Sequence, residues 1–314
     1  MIRNLDAIRE FIDVSDEVSS ALDEGKPIVA LESTVISHGL PSPDNLLTAR
    51  SMIEAVRYSS AVPALIAVFN GRIKVGVDSE ELERLNSTAV RKLSVRDLPC
   101  VVSSKLDGAT TVATTSLFAY AAGIDVFATG GIGGIHKGGP NDVSADLPVL
   151  AETPISVVCS GAKAILDLPA TREWLETHGV PVVGYGCNEF PAFYSAGSGL
   201  DVDDVVSVPE EAARIAAARD SLGLRQAVLF AVPVPNAEEI NEADVSGWLK
   251  VAHRECEDLG ITGRKVTPFL LSRVSELSEG RALKANIALL VNNARVAGKI
   301  SVALKAATLS ADSV

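Results

Sequence analysis

The chain has 314 residues, of which 47% are hydrophobic and 22% are charged, and its formal net charge is −12. This length can bury a full hydrophobic core, and the acidic balance argues against general nucleic-acid binding. No uninterrupted apolar stretch approaches the roughly 18 residues that a membrane span needs. The first fifteen residues contain Asp6, Glu10 and Asp13 and lack the apolar core of a signal peptide. We therefore expect a cytoplasmic protein without nucleic-acid or membrane partners.

The N-terminal half alternates between helical periodicity and strand-like apolar runs. Apolar residues recur at helical spacing over 6–24, and Gly25 ends this predicted helix. The dipeptide Asn70-Gly71 separates two apolar runs, which predicts a β-hairpin, and Asp78 is a predicted helix N-cap. The other predicted elements are a strand at 27–31, helices at 44–58 and 78–85, hairpin strands at 64–69 and 72–77, a strand at 100–103 and a buried helix at 108–122.

The C-terminal half continues the alternation of strands and helices. Predicted strands lie at 125–129, 155–159, 181–185 and 226–234, and predicted helices at 162–178, 209–222, 237–258, 267–278 and 283–306. Such alternation implies a mostly parallel sheet covered on both faces. We predict a three-layer α/β/α fold with a mostly parallel central sheet, as a single domain over 1–314. Helix 6–24 and the helices of 237–306 would pack on its core.

Cysteine spacing gives no sign of a disulfide framework or of a structural zinc site. The four cysteines show no C-x-x-C pattern, and we expect reduced thiols. They are Cys100, Cys159, Cys187 and Cys256.

Two predicted strands, 125–129 and 155–159, run into glycine-rich segments that carry charged side chains. Since ligands of α/β proteins bind at the carboxyl ends of strands, the stretch 127–163 is a candidate floor of a small-molecule site. Gly130 to Gly134 matches a dinucleotide-binding fingerprint only weakly, because these glycines lead into His-Lys-Gly-Gly rather than into a helix. They form either a tight turn or a surface that a ligand approaches closely.

Glu32 and Lys163 are candidates for acid–base and nucleophilic chemistry. Glu32 ends an apolar strand, where burial would raise the pKa of its carboxyl group and suit it to general acid catalysis. A structural hydrogen-bonding role is the alternative. Lys163 is predicted to open a helix, where the helix dipole and burial would favour the neutral amine that forms Schiff bases. Phosphate binding or plain solvation are the alternatives for this lysine.

The start of the predicted helix at 108–122 is a candidate phosphate site. Free N–H groups and the hydroxyls of Thr110 and Thr111 could bind phosphate there, or they could serve only as helix caps. Lys92 could add a cation to this site or could lie on the surface.

Asp142 and Asp146 are four residues apart and would share one face of a helical turn. With the nearby His136 they could hold a hard divalent cation whose shell is completed by water. Alternatively, Asp142 is the N-cap of the helical turn that follows it.

Longer segments of the chain resemble one family, and they occur in collinear order from residue 27 to about residue 295. They include PIVALESTVISHGLPSPDN, VRKLSVRDLP, GATTVATT, VFATGGIGGIHKGG, DVSADL, CSGAKAILD and LKANIALLVNNA. These segments are similar to those of the pseudouridine-5′-phosphate glycosidases, the indigoidine synthase A-like family. So many long matches in one order are far more specific than any short motif.

The resemblance implies an enzyme of pseudouridine catabolism and nucleotide metabolism. Such enzymes reversibly cleave the carbon–carbon glycosidic bond of pseudouridine 5′-phosphate, giving uracil and ribose 5-phosphate. A lysine forms a Schiff base with the ring-opened ribose, and protonation of the uracil carbon lets the bond break. The resemblance also implies a homotrimer with one Mn²⁺ per subunit.

The same resemblance implies roles for individual residues. Lys163 matches the Schiff-base lysine, Glu32 the proton donor and Asp142 the manganese ligand. The implied substrate-binding residues are Lys92, Thr111, Val112, His136, Ser144, Ala145, Asp146 and Asn286.

Three other functions stay open. One is a Schiff-base lyase or glycosidase that uses Lys163 on another C-nucleoside or phosphosugar. The second is a non-catalytic phosphosugar-binding protein, and the third is a dinucleotide-dependent oxidoreductase.

Overall fold

A twisted, mostly parallel sheet forms the centre of the computed structural model, which describes residues 5–87, 89–137, 142–263 and 266–311. Gly138 and Gly139 of the predicted glycine-rich loop lie outside these residues. The strands are β1 Ile12–Val14, β2 Ile28–Glu32, β3 Val62–Phe69, β4 Arg72–Val75, β5 Arg91–Leu93, β6 Gly108–Thr110, β7 Val126–Ala128, β8 Ile135–His136, β9 Ser156–Cys159, β10 Leu166–Asp167, β11 Val182–Tyr185, β12 Asp204–Val206 and β13 Val228–Ala231.

Eleven of these strands form one sheet in the order β1-β4-β3-β2-β7-β9-β13-β11-β12, with β6 paired to β3 and β5 paired to β6. From β3 to β12 along this path every neighbouring pair is parallel. The short strands β4 and β6 pair antiparallel with β3. Strand β1 pairs parallel with β4, and β5 pairs parallel with β6. Strands β8 and β10 pair separately.

Helices cover both faces of the sheet. They are α1 Leu5–Arg9, α2 Asp16–Asp23, α3 Asp44–Tyr58, α4 Ser79–Arg84, α5 Leu98–Ser103, α6 Val112–Ala121, α7 Asp146–Leu150, α8 Leu168–Thr177, α9 Pro209–Ser221, α10 Glu242–Asp258, α11 Val266–Leu277 and α12 Arg281–Ala311. Helix α12 packs over β2, β7 and β9, between α3 and α9, while α2 and α6 contact β2 and β3. The predicted three-layer α/β/α fold is therefore confirmed.

Helix α12 is the single helix among the described residues that is long and apolar enough to cross a membrane, judged by length and composition alone. Within its Arg281–Ala307 portion, 56% of the most apolar window is buried inside the protein. Burial against strands and neighbouring helices is typical of the core helix of a folded domain.

The predicted hairpin turn and the predicted helix N-cap are both confirmed, each with the local geometry that its residues favour. The hairpin turns at Asn70 and Gly71, whose φ angles are 52° and 75°, and Phe69 pairs with Arg72 across it. Both positive φ values match the turn type that this dipeptide favours. Asp78 caps α4 in a reciprocal capping box with Glu81.

The predicted helix at 6–24 is wrong, because strand β1 divides it into α1 and α2. Ile12 pairs with Ile73 and Val14 with Val75, so this segment extends the sheet beside β4. Ser15 then starts a new helix by accepting a hydrogen bond from the Val18 amide.

Two other predicted boundaries differ from the structure. The run at 100–103, predicted as a strand, belongs to helix α5, where Pro99 occupies one of the first helical positions that tolerate proline. The predicted helix at 108–122 begins only at Val112, because residues 108–110 form strand β6 between β3 and β5.

Candidate active site

The carboxyl ends of three adjacent strands place the central side chains of the site. Glu32 is the last residue of β2, Thr129 follows β7, and Ser160 follows β9. The order β2-β7-β9 makes these ends neighbours at one edge of the sheet. This is the edge at which α/β proteins bind ligands.

A cavity of about 290 Å³ opens at this edge, close to the lower end of the size range of small-molecule sites. Its lining includes every residue for which the family resemblance implied a role. They are Glu32, Lys92, Thr111, Val112, His136, Asp142, Ser144, Ala145, Asp146, Lys163 and Asn286. The structure therefore brings together residues from seven separate segments, while their individual roles stay predictions.

Glu32 is buried, and its carboxylate accepts a hydrogen bond from the hydroxyl of Thr129. Burial raises the pKa of Glu32, and the charge of Lys163 and the Thr129 hydrogen bond oppose this rise only in part. The negative charge of Asp146 adds to the rise, and that of Lys92 opposes it. A carboxyl group with a raised pKa can donate a proton nearer neutral pH.

Lys163 lies in a turn between β9 and β10, so the predicted helix at 162–178 is wrong at its start. Helix α8 begins only at Leu168, after Asp167 caps it by accepting from the Ala170 amide. Lys163 is therefore not at a helix start, and the predicted effect of a helix dipole on it is wrong. The backbone instead anchors this lysine, because its amide donates to the Ile132 carbonyl at 3.1 Å.

Gly161, two residues before Lys163, has to be glycine for two reasons. Its φ angle is +74°, a conformation that L side chains rarely adopt. A Cβ atom there would also lie 1.9 Å from the carbonyl oxygen of Pro191. The loop that contains Pro191 therefore packs directly on the backbone that leads to Lys163.

Lys92 and the start of α6 form a second part of the cavity. Lys92 lies on β5, and burial together with the positive charge of Lys163 lowers its pKa. The Thr111 hydroxyl donates to the Leu93 carbonyl at 2.9 Å, and the Thr111 amide donates to the Thr114 hydroxyl at 2.9 Å. Thr111 is the N-cap residue of α6, although its hydroxyl donates to β5. The Thr110 hydroxyl is buried, donates to the Ile66 carbonyl at 2.7 Å and does not line the cavity.

Asp146 has both carboxylate oxygens bound to backbone amides. It accepts from the amide of Ala113, at the start of α6, at 2.9 Å and from the amide of Gly133 at 2.8 Å. Gly133 belongs to the segment 130–134, the glycine loop. The Asp146 side chain is buried. Asp146 therefore joins the glycine loop to α6 and presents a negative charge to Lys92 and Glu32.

Asp142 does not share a helical face with Asp146, which corrects the predicted arrangement. Asp142 is exposed, and its carbonyl accepts from the His136 amide at 3.0 Å. Helix α7 begins at Asp146 with Ala145 as its N-cap, so capping by Asp142 is also wrong. Burial lowers the pKa of His136, and the negative charge of the Asp142 carboxylate opposes this effect.

A tightly chelated metal does not fit the described residues, which contain no group of three His, Cys, Asp or Glu side chains able to hold an ion. The cavity lining offers the exposed carboxylate of Asp142, with His136 beside it. This donor set fits a hard divalent ion that keeps several of its water ligands.

The glycines at 130–134 are explained by packing. Cβ atoms at Gly131, Gly133 and Gly134 would lie 2.7 Å from Phe193, 2.3 Å from the Ser144 hydroxyl and 2.3 Å from the Thr171 hydroxyl. The segment continues into β8 rather than into a helix, and it therefore lacks the strand–turn–helix context of a dinucleotide fingerprint.

Some cavity residues were not singled out from the sequence. Thr129, His38, Ser94 and Arg96 all line the cavity. The Ser94 hydroxyl and His38 Nε2 are buried without a hydrogen-bond partner within the described part of the chain. A hydroxyl or histidine close to a candidate residue in sequence was the available signal, and it is a weak one.

Comparisons with known proteins agree with this architecture. The family model of "indigoidine synthase A like protein" matches residues 17–303. A pseudouridine-5′-phosphate glycosidase of Caldanaerobacter subterraneus subsp. tengcongensis is 51% identical over 300 residues, which cover 95% of this chain and 98% of the relative. One of Methylobacterium nodulans is 50% identical, covering 95% of this chain and 90% of the relative.

Two solved structures share the fold along nearly the whole chain. The prealnumycin C-glycosynthase AlnA, in complex with ribulose 5-phosphate, is 38% identical with a TM-score of 0.89, and the match covers 96% of this chain and 99% of AlnA. An indigoidine synthase A (IdgA)-like protein from Thermotoga maritima is 37% identical with a TM-score of 0.87, covering 94% and 97%. Sequence and structure together show that this chain belongs to the indigoidine synthase A-like family.

Proposed function

We propose that this chain is a pseudouridine-5′-phosphate glycosidase, which converts pseudouridine 5′-phosphate and water reversibly into uracil and ribose 5-phosphate. The observation that carries the proposal is that Glu32, Lys163 and Lys92 line one cavity and act electrostatically on one another. Relatives that are about half identical over 95% of this chain carry that activity in their names, which supports the assignment.

The chemistry needs a nucleophile, because protonating a leaving oxygen or nitrogen cannot release a carbon–carbon glycosidic bond. The nitrogen lone pair of Lys163 attacks C1′ of the ribose, and the bond from C1′ to the ring oxygen breaks. Glu32 supplies the proton that the departing ring oxygen takes up. Its raised pKa makes the protonated form available for this transfer.

Cleavage of the carbon–carbon bond follows from the open-chain adduct. The attacking nitrogen gives up a proton to the Glu32 carboxylate, and Glu32 then passes this proton to C5 of the uracil ring. The electrons of the C1′–C5 bond restore the ring double bond. The nitrogen lone pair of Lys163 forms the iminium at C1′. Water adds to this iminium, which releases ribose 5-phosphate and returns the free amine.

The phosphate would lie near Lys92 and the start of α6, where a cation and a helix N-terminus meet. Binding energy from this remote group would position the sugar for attack. The backbone of Ser144, Ala145 and Asp146, with His136 and Asn286, would complete the substrate contacts.

Asp142, together with water, would hold Mn²⁺ at the edge of the cavity, and the bound ion would supply positive charge for substrate oxygens. We further propose a homotrimer in the cytoplasm, for which the support is family resemblance.

A second candidate function is formation or cleavage of a C-glycosidic bond with a different aglycone. It is favoured by the 38% identity with a prealnumycin C-glycosynthase that binds ribulose 5-phosphate. The same amine and acid would serve both reactions, so the aglycone pocket decides between them.

The discriminating experiment measures turnover of pseudouridine 5′-phosphate, unphosphorylated pseudouridine and uridine 5′-phosphate in parallel. The proposal predicts efficient cleavage of the first, weak cleavage of the second and none of the third. Binding of ribose 5-phosphate by calorimetry without turnover of any of the three substrates would instead favour a non-catalytic binder or another aglycone.

A further inference from the structure

Asn293 of α12 is a buried polar residue that contacts the strand ends next to Glu32 and Lys163. Its exposed fraction is 0%. Asn286 and Leu290, on the same helix, line the cavity. Residues three, four and seven positions apart share one face of a helix. The face of α12 that borders the cavity therefore continues to Asn293.

On one side, Asn293 binds the backbone that follows β7. Its amide nitrogen donates to the Thr129 carbonyl at 2.8 Å and lies 3.4 Å from the Gly130 carbonyl. Strand β7 ends at Ala128, so these carbonyls lie just past its last residue. A buried carbonyl without a hydrogen-bond donor is unfavourable, which explains why an amide rather than an apolar group occupies this position.

On the other side, Asn293 binds Ser160, which follows β9. The Ser160 hydroxyl lies 3.1 Å from the Asn293 amide nitrogen and 3.3 Å from its oxygen. The Ser160 amide also donates to the Gly130 carbonyl at 2.8 Å. One side chain thus connects the ends of β7 and β9. On β9 the contact is three residues before Lys163, and on β7 it is at Thr129, which lies beside Glu32.

We propose that Asn293 is a positioning residue that keeps Glu32 and Lys163 at the separation and orientation that proton transfer and attack on the sugar require. It acts through Thr129, whose hydroxyl binds the Glu32 carboxylate, and through Ser160, which leads into the turn that carries Lys163. This inference rests on the proposed function of the two residues.

Asn293→Leu keeps the branching at Cγ, with a somewhat larger side chain, but removes both the donor and the acceptor. The ends of β7 and β9 would then lose the side chain that bridges them, while the rest of the sheet pairing stayed in place. Because reacting groups misplaced by about 1 Å can lose on the order of 10²-fold in rate, a small shift of these ends is enough to be measured.

The pH profile gives a signature that a purely structural role would not change. The Thr129 hydroxyl lowers the pKa of Glu32 and so opposes the effect of burial. The charged groups that act on Glu32 are Lys163, Asp146 and Lys92. If Thr129 is held less firmly, the pKa of Glu32 rises further. The limb of the kcat profile that reports Glu32 then moves to higher pH.

The test compares Asn293→Leu with Ser301→Ala in the full chain. Ser301 lies on the same helix, is buried, and donates to the Ile28 carbonyl at 3.0 Å, at the opposite end of β2 from Glu32. We expect Asn293→Leu to lower kcat on the order of 10²-fold, to change KM by less than about threefold and to move the Glu32 limb upward in pH. Ser301→Ala should leave all three unchanged.

A kcat for Asn293→Leu equal to that of Ser301→Ala, or an unshifted limb, would overturn the positioning role. If Asn293→Leu does not fold by circular dichroism, Ser160→Ala replaces it, since this change removes only one partner of Asn293. A kcat loss of about tenfold is expected there, and no loss overturns the proposal. Absence of turnover by the unmodified chain would overturn the proposed function itself, which separates the two failures.

Discussion

The hydroxyl of Thr129 donates a hydrogen bond to the buried carboxylate of Glu32, across two neighbouring parallel strands. The register of the sheet produces this contact, because Leu31 pairs with Ala128 and the next residues on the two strands are Glu32 and Thr129. A carboxyl group that is buried yet hydrogen-bonded keeps one orientation while its pKa is raised. Sheet geometry thereby prepares a side chain for acid–base chemistry.

Glu32→Gln should lower kcat for pseudouridine 5′-phosphate cleavage about 10²- to 10⁴-fold, because the proton donor is lost. The limb of the pH profile that reports Glu32 should disappear with it. Steady-state kinetics across pH would measure both effects. An unchanged limb in the variant would assign that ionisation to another group.

The same substitution should change how stability depends on pH. Since folding raises the pKa of Glu32, its contribution to stability is full below the pKa of the unfolded chain and is lost as pH rises through the folded value. Glu32→Gln removes this loss, so its melting temperature relative to the unmodified chain should increase with pH across that window. A difference that stays constant with pH would contradict the raised pKa.

Lys92→Met should raise KM for pseudouridine 5′-phosphate about 10- to 100-fold, since a charged hydrogen bond to phosphate would be lost. KM for unphosphorylated pseudouridine should change much less. Lys299→Met, an exposed lysine on α12 outside the cavity, is the matched control. Equal effects on both substrates would mean that Lys92 does not bind the phosphate.

Asp146 and Asp142 should respond differently to replacement by asparagine. Asp146→Asn replaces one of the two carboxylate oxygens, each of which accepts from a backbone N–H, with an NH2 group that can only donate, at a buried site. It should therefore lower the free energy of unfolding by about 1–3 kcal/mol. Asp142→Asn, at an exposed position, should leave stability nearly unchanged. Chemical denaturation of both variants measures the contrast, and equal stabilities would refute the bridging role of Asp146.

Activity should depend on a divalent metal, and the affinity for that metal should depend on the Asp142 carboxylate. Exhaustive chelation should remove activity, Mn²⁺ should restore it, and Asp142→Asn should raise the Mn²⁺ concentration needed for half-maximal recovery about 10- to 100-fold. Full activity of the chelated enzyme would eliminate the proposed metal.

Local signals in the sequence predicted much of the fold and the membership of the site. The hairpin at Asn70-Gly71 and the helix over 44–58 were predictable because turn chemistry and periodicity are local. The grouping of Glu32 with Lys163 followed from apolar strands whose carboxyl ends share an edge, supported by long family motifs.

Pairing between distant segments was not predictable in the same way. Ile12 lies within a helical pattern, and only Ile73, on a strand far along the chain, makes it part of the sheet. Lys163 lies within the predicted helix at 162–178, but β10 pairs with β8 and the helix begins only at Leu168. The bridge made by Asn293 likewise depends on how α12 crosses the strand ends.

The most direct test of the account is intact-protein mass spectrometry after borohydride reduction in the presence of ribose 5-phosphate, with Lys163→Ala and Lys163→Arg as matched variants. The account predicts a stable sugar-phosphate adduct on the peptide that contains Lys163, and none on either variant. Turnover should fall by several powers of ten in both variants, while circular dichroism shows the fold retained. Absence of an adduct on the folded, metal-supplied enzyme, or variant activity above roughly 1%, would contradict the covalent mechanism.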